Sequence, residues 1–322
     1  MSAVPSSISA VSFKKELVDF VLTGQNQNGS WDYLPGKSGA TEPTALALMA
    51  LLRESGAEAA RLKGMNYLRE HHSQKGGWPV RQGDDEDAAW VTSLAGIAVT
   101  TYGQDWPLNL AAARFVAASF GKNPRYWILR LADWMRSWDA ADVEENLGGW
   151  KWNPATANWV EPTSYALLYL KLFLQRKPRE LPFDDGTLPG IIHEAESLLL
   201  LRMCKGGGWN YGNARILGEE LRPYPLTTAN ALIALQRSSY AEVPVSIEYL
   251  AKAAMTEQSS LALSMTILAL DLYGKKADPR LAENLVKLYR ENHFFRNIKT
   301  AALAVLALDT QMGGRNPFLV AG

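Results

Sequence analysis

The chain has few of the features that mark disulfide-stabilised, nucleic-acid-binding or membrane-spanning proteins. One cysteine, Cys204, in 322 residues excludes an internal disulfide and fits a reducing compartment, so we expect the cytoplasm. Lys+Arg and Asp+Glu both total 33, and this neutral balance gives no electrostatic footprint for nucleic acid. Apolar runs such as 45–52 are far shorter than the roughly 20 residues that cross a bilayer. Association with a membrane surface is the most that we expect.

Metal and phosphate chemistry are also poorly represented. The four histidines form no ligand pattern beyond the adjacent pair His71 and His72, and Cys204 has no metal-ligand spacing around it. A glycine-rich phosphate loop is absent, because Gly206-Gly207-Gly208 precedes Trp209 and not a Lys-Ser/Thr pair. We therefore expect neither a metal nor a cofactor.

An apolar segment recurs six times and predicts the fold. Its copies end at Leu51, Val99, Leu170, Leu235, Leu270 and Leu308, and the first reads TALALMAL. The irregular intervals between copies fit helix–loop–helix pairs with variable loops. Because the copies are apolar nearly all round, each is expected to form a buried inner helix.

Amphipathic segments lie between these copies and predict the outer helices. They cover about 11–24, 57–72, 187–203, 244–256 and 278–292, with apolar residues three or four positions apart. The long third interval contains two helical stretches, about 108–120 and 124–138, of which one is an insertion. The sequence thus predicts an all-α fold, a single domain over residues 1–322 built from six pairs of inner and outer helices. Residues 1–10 are expected to fray, and an extra helix is expected within about 104–140.

The loops before four of the inner helices share a Gly-x-Trp motif. It occurs at Gly29–Trp31, Gly76–Trp78, Gly148–Trp150 and Gly207–Trp209. In the first copy the surrounding pattern is complete, with Phe20 and Val21 on the outer helix and Gln25 four residues before the glycine. This pattern resembles the repeat of squalene–hopene and oxidosqualene cyclases, which also occurs in protein prenyltransferase β subunits. The resemblance implies an (α/α)6 barrel that acts on an isoprenoid; triterpene cyclases have two such barrels, so a second barrel protein is a possible partner.

The acidic run Asp84-Asp85-Glu86-Asp87 is the strongest candidate for chemistry. It follows Gly76-Gly77-Trp78 and opens an inner helix, and crowded carboxylates in an apolar cavity keep one of them protonated. Its position resembles that of the Asp-x-Asp-Asp acid of class II terpenoid cyclases, with Asp84 at the first aspartate, Glu86 at the proton donor and Asp87 at the last. The alternative stays open that these are solvated acids at a helix N-terminus.

Aromatic residues in the same loops and first helical turns are candidates to line a substrate pocket and to stabilise a carbocation. They are Trp90, Trp152, Trp159, Tyr165, Tyr211 and Tyr224. Glu42 and Glu161 recur in Glu-Pro-Thr at matching repeat positions, and we interpret them as braces of helix ends.

Three functions are consistent with these sequence features. The first is a class II-type, proton-initiated terpenoid cyclase, an isomerase or lyase. The second is a noncatalytic isoprenoid- or lipid-binding barrel, alone or as the partner of a second barrel. The third is a carbohydrate-active (α/α)6 enzyme with two carboxylates and tryptophan stacking.

Overall fold

The computed structural model describes residues 10–103, 105–122, 147–181, 183, 186–216 and 218–321. Within these ranges the chain forms twelve α-helices and one short hairpin. The helices are α1 (Ala10–Thr23), α2 (Thr41–Leu51), α3 (Glu58–Glu70), α4 (Ala89–Tyr102), α5 (Trp106–Ala118), α6 (Val160–Arg176), α7 (Leu188–Leu201), α8 (Pro225–Ala234), α9 (Glu242–Ala253), α10 (Ser260–Leu272), α11 (Pro279–Asn292) and α12 (Ile298–Gln311). Strands β1 (Arg215–Ile216) and β2 (Glu219–Glu220) pair antiparallel between α7 and α8.

The even-numbered helices form the inner ring. All 11 residues of α2 are buried, as expected of a helix that is surrounded by other elements on every side. Each inner helix packs against the next in the order α2, α4, α6, α8, α10 and α12, and α12 packs against α2, so the ring is closed. The predicted all-α (α/α)6 barrel is confirmed.

The odd-numbered helices lie outside this ring and bury one face each. In α11 the buried residues are Leu281, Leu285, Leu288 and Tyr289, a spacing that places them on one side of the helix. The third outer helix is α5, which contacts both α4 and α6 and corresponds to the predicted stretch 108–120. The stretch 124–138 and residues 1–9 lie outside the described residues, so the insertion and the frayed terminus stay predictions.

The four Gly-x-Trp loops join the first four outer helices, α1, α3, α5 and α7, to the inner helices that follow them. Their tryptophans, Trp31, Trp78, Trp150 and Trp209, are fully buried. Each indole N–H donates to a backbone carbonyl near the end of an outer helix, over 2.5 to 2.9 Å. Each backbone N–H donates to a threonine hydroxyl of the next inner helix, over 2.9 to 3.1 Å. The motif therefore stabilises the junctions between repeats, as predicted for a tryptophan between helix ends.

The C-terminal segment closes one end of the barrel. The side-chain amide of Gln236 donates to the carbonyl of Phe318, and its carbonyl oxygen accepts from the backbone N–H of Val320. Asn316 donates to the carbonyl of Leu268 on the inner ring. Phe318 is thereby held in a buried position at the barrel axis. Among the described helices, none combines the length and apolar character needed to cross a membrane.

Candidate functional site

The loops that precede the inner helices meet at the other end of the barrel, which we call the mouth. Backbone hydrogen bonds join neighbouring loops there, from Thr41 to Val80, from Val160 to Tyr211 and from Ile298 to Tyr33. The first turn of each inner helix lies at this end of the barrel. Candidate residues from different repeats therefore lie close together although they are far apart in the sequence.

Two acids and one base stand at equivalent places at the mouth. Glu42, Glu161 and Lys299 are each the second residue of an inner helix, in α2, α6 and α12. The same position holds Trp90, Leu226 and Leu261 in the other three helices. We call these six residues the first layer. Its charged members are confined to three of the six positions, and the remaining three are apolar or aromatic.

Glu42 and Lys299 form a buried ion pair. The Lys299 Nζ atom lies 2.8 Å from Oε1 of Glu42, whose side chain is only 2% exposed. The other carboxylate oxygen of Glu42 accepts a hydrogen bond of 2.6 Å from the hydroxyl of Tyr33. Burial by itself would lower the pKa of Lys299, but the attraction of Glu42 and Glu161 outweighs it and raises that pKa. The lysine is therefore charged, and it neutralises one carboxylate.

Glu161 has a different environment from Glu42. Burial raises the pKa of its carboxyl group above the usual value, and the neighbouring charge of Glu42 adds to the rise. The charge of Lys299 and a hydrogen bond of 2.7 Å donated by the Tyr165 hydroxyl oppose this shift without cancelling it. Burial also raises the pKa of Tyr165 well above its usual range, so that hydroxyl stays a donor. Glu161 thus keeps its proton to a higher pH than an ordinary glutamate does.

Below the first layer the barrel axis is nearly filled. The residues four positions further along each inner helix form a second layer: Leu46, Leu94, Tyr165, Asn230, Met265 and Leu303. Together with Glu42, Lys299 and Phe318 they line an axial cavity of ≈ 20 Å³. Ligand pockets usually measure about 300–1,000 Å³. At this volume the axial cavity has no room for an isoprenoid chain, and the two spaces of ligand size described next lie at the mouth.

One such space is an aromatic groove of ≈ 690 Å³, lined by residues that include Trp159, Tyr211, Ile216, Arg222 and Tyr224. The rings of Tyr211 and Tyr224 lie 5.3 Å apart, and the guanidinium of Arg222 lies 5.3 Å above the ring of Tyr224. The backbone N–H of Val160 donates to the carbonyl of Tyr211 over 3.1 Å, so the residue that precedes Glu161 is bonded to the wall of this groove, although Glu161 is not one of its lining residues. Three of the six predicted aromatic residues thus share one groove.

The acidic run lies in a second groove at the mouth, of ≈ 770 Å³, which we call the acidic groove. It is lined by Asp84 to Asp87, Lys151, Trp152 and Asn153, among others. Asp84, Asp85 and Glu86 are exposed; Asp87 is half-buried and accepts a hydrogen bond from Ser73. The structure therefore places these carboxyl groups on an open surface. Burial of the kind that the sequence reasoning assumed for them is found at Glu161 instead, beside Glu42, Lys299 and Tyr165.

The remaining predicted aromatic residues are divided between the two regions. Trp90, in the first layer, is buried and packs edge-on against Trp152 of the acidic groove, with ring centroids 5.0 Å apart. Tyr165 lines the axial cavity and binds Glu161. Lys299, Tyr33 and Asn230 were not identified from the sequence. The signal for Lys299 was present, since it occupies the repeat position of Glu42 and Glu161.

Comparisons with known proteins support the fold without assigning a family. Neither a protein-family model nor a curated protein matches the sequence. Three solved structures resemble the chain over nearly its whole length. An α-amylase from Clostridium perfringens has a TM-score of 0.62 with 14% identity, covering 97% of this chain and 100% of its own. The type II terpene cyclase MstE from Scytonema has a TM-score of 0.59 with 14% identity, covering 95% and 99%. An α-1,6-mannanase of Salegentibacter has a TM-score of 0.58 with 11% identity, covering 92% and 98%. The chain shares its fold with cyclases and glycosidases alike, and at these identities the likeness extends to the fold alone.

Proposed function

We propose that the chain is a proton-initiated isoprenoid cyclase of the class II type, and that Glu161 is its acid. The proposal rests on one observation: two carboxyl groups at equivalent repeat positions have different electrostatic environments. Glu42 is ion-paired with Lys299, whereas Glu161 is buried and its pKa is raised. When the environments of two titratable groups push their pKa values apart, the two groups often have different acid and base roles.

Protonation of an alkene requires a group that holds its proton at rest and yet releases it to carbon. Burial favours the first condition at Glu161, because it disfavours the carboxylate and raises the pKa of the group. After transfer, the new carboxylate keeps the hydrogen bond from Tyr165 and gains attraction to Lys299. These two groups stabilise the charge that develops during the step, without reorganising.

The substrate would lie in the aromatic groove, since the axial cavity is too small. Proton transfer to one end of a double bond leaves a carbocation at the other end, and the next double bond attacks it to close a ring. The faces of Trp159, Tyr211 and Tyr224 stabilise such a cation through their quadrupoles. Loss of a proton to the Glu161 carboxylate ends the reaction and restores the acid, so the product is an isomer of the substrate.

The test is incubation of the purified protein with squalene and, separately, with prenyl diphosphates, followed by mass-spectrometric detection of products. A cyclic product is expected, and Glu161→Gln should abolish it while preserving the shape of the residue. Glu86→Gln is the matched control, at an exposed position of the acidic groove, and should leave turnover intact. Loss of turnover in Glu86→Gln with retention in Glu161→Gln would overturn the assignment of Glu161 and return the acid to the run 84–87. Tight binding of the isoprenoid with no product would favour the noncatalytic barrel.

A second candidate, a glycoside hydrolase, is favoured by the acidic groove. Exposed carboxylates beside the half-buried Trp152, in an open groove of ≈ 770 Å³, suit a hydrated polymer better than an isoprenoid. Release of reducing sugar from α-glucans or α-mannans, abolished by Asp85→Asn and retained in Glu161→Gln, is the expected result for this candidate. The opposite sensitivity of the two variants separates it from the cyclase.

A further inference from the structure

Asn230 is a buried amide whose hydrogen-bonding groups have no partner among the described residues. Its side chain is 2% exposed, and neither Oδ1 nor Nδ2 makes a hydrogen bond within the described part of the chain. An unpaired buried polar group costs about 1–3 kcal/mol. The barrel does not demand a polar residue here, because Leu46, Leu94 and Leu303 occupy the same second-layer position. An asparagine at this place therefore calls for a partner from outside the protein.

The axial cavity beside Asn230 has the size for a very small partner. Its volume of ≈ 20 Å³ exceeds the roughly 10–15 Å³ that one water molecule needs, and is far below that of any organic ligand. Phe318 closes the cavity from below, and the Glu42–Lys299 pair lines it from the mouth side. The Oε1 atom of Glu42 is buried and, apart from its ion pair, accepts no hydrogen bond within the described residues.

We infer that the axial cavity is a binding site for one water molecule, held by the amide of Asn230 and the carboxylate of Glu42. Water is amphoteric, so it can accept from Nδ2 of Asn230 and donate to Oε1 of Glu42. It thereby extends the polar network of Tyr33, Glu42 and Lys299 from the first layer to the second. This water site does not depend on the proposed cyclase activity, because it lies at the axis and not in the grooves.

Oxygen-17 relaxation dispersion of the solvent tests this site, since it counts water molecules that stay inside a protein in solution. Asn230→Leu keeps a similar volume and removes the amide, and it should lower the count by one. The matched control is Met265→Leu, which changes another second-layer residue of the same cavity and leaves the amide in place. This control should keep the wild-type count. An unchanged count in Asn230→Leu, or an equal loss in both variants, would overturn the inference.

A high-resolution crystal structure of the unaltered protein provides a second measurement, in case Asn230→Leu does not fold. Density for one water oxygen within hydrogen-bond distance of Asn230 and Glu42 is expected, because a buried water needs at least two polar partners. An axial cavity without such density would contradict the proposed water site.

Discussion

The ion pair of Glu42 and Lys299 allows a quantitative test of the first layer. At 2.8 Å, and with an effective dielectric constant of about 20, the Coulomb attraction is about 6 kcal/mol. Much of this is offset by the removal of both charges from water, so the net contribution of the pair is small. Removal of only one partner has a much larger effect, because the other charge is left buried without a counter-ion. Lys299→Met leaves a carboxylate that is 2% exposed without its counter-ion, and we expect a loss of about 3–5 kcal/mol in the free energy of unfolding.

A double-mutant cycle separates this coupling from the loss of packing. Glu42→Gln removes the stranded charge, so the double variant should be less destabilised than the sum of the single variants by about 2–3 kcal/mol. Urea unfolding of the four proteins at pH 7, followed by circular dichroism, measures the cycle. The exposed pair of Arg290 and Glu16, with side chains 40% and 38% exposed, is the control and should couple by no more than about 1 kcal/mol. Additivity of the Glu42 and Lys299 variants within about 0.5 kcal/mol would refute the reasoning.

Two further predictions concern the pH dependence of Glu161 and the geometry of the Gly-x-Trp loop. The pKa of Glu161 is raised, so its neutral form contributes stability below the unfolded pKa near 4.5, and this is lost as pH rises through the folded pKa. The unfolding free energy of Glu161→Gln, measured relative to wild type in urea, should therefore increase with pH, and a pH-independent difference would contradict the assigned shift. Gly29→Ala should cost about 3 kcal/mol or more, because φ is +88° and a Cβ would lie 2.4 Å from the carbonyl oxygen of Lys63. Gly36→Ala, with φ of +80° and open space around it, should cost only about 1–2 kcal/mol, and equal shifts in the thermal midpoints would show that close approach is not what Gly29 provides.

The first layer shows how one barrel fold can present different chemical groups at its mouth. Every inner helix presents its second residue at the mouth, whatever that residue is. Glu42, Glu161 and Lys299 supply charge, while Leu226 and Leu261 supply apolar wall. Helix packing depends on residues deeper in the ring, such as the fully buried Ala47 and Ala304. The first layer therefore differs in residue type from repeat to repeat within one fold, and a fold shared with cyclases and glycosidases does not select between them.

The exposure of the acidic run is a feature that sequence reasoning could not predict. The run 84–87 attracts attention because four acidic residues are adjacent, but adjacency in the chain says nothing about enclosure. Asp85 and Glu86 prove to be exposed, whereas Glu161 is enclosed by residues from several repeats. The repetition of Glu-Pro-Thr indicated helix-end braces. The sequence did not reveal that Lys299, 138 positions beyond Glu161, acts on its carboxyl group.

The amino-acid sequence by itself determined the architecture of this protein. Six apolar segments that alternate with amphipathic ones predict buried helices covered by outer ones, and that pattern is local and periodic. Only the tertiary structure decided the electrostatic environment of each carboxyl group. Closure of the ring brings α2, α6 and α12 to one mouth, and the resulting burial and distances set which acid is ion-paired and which has its pKa raised.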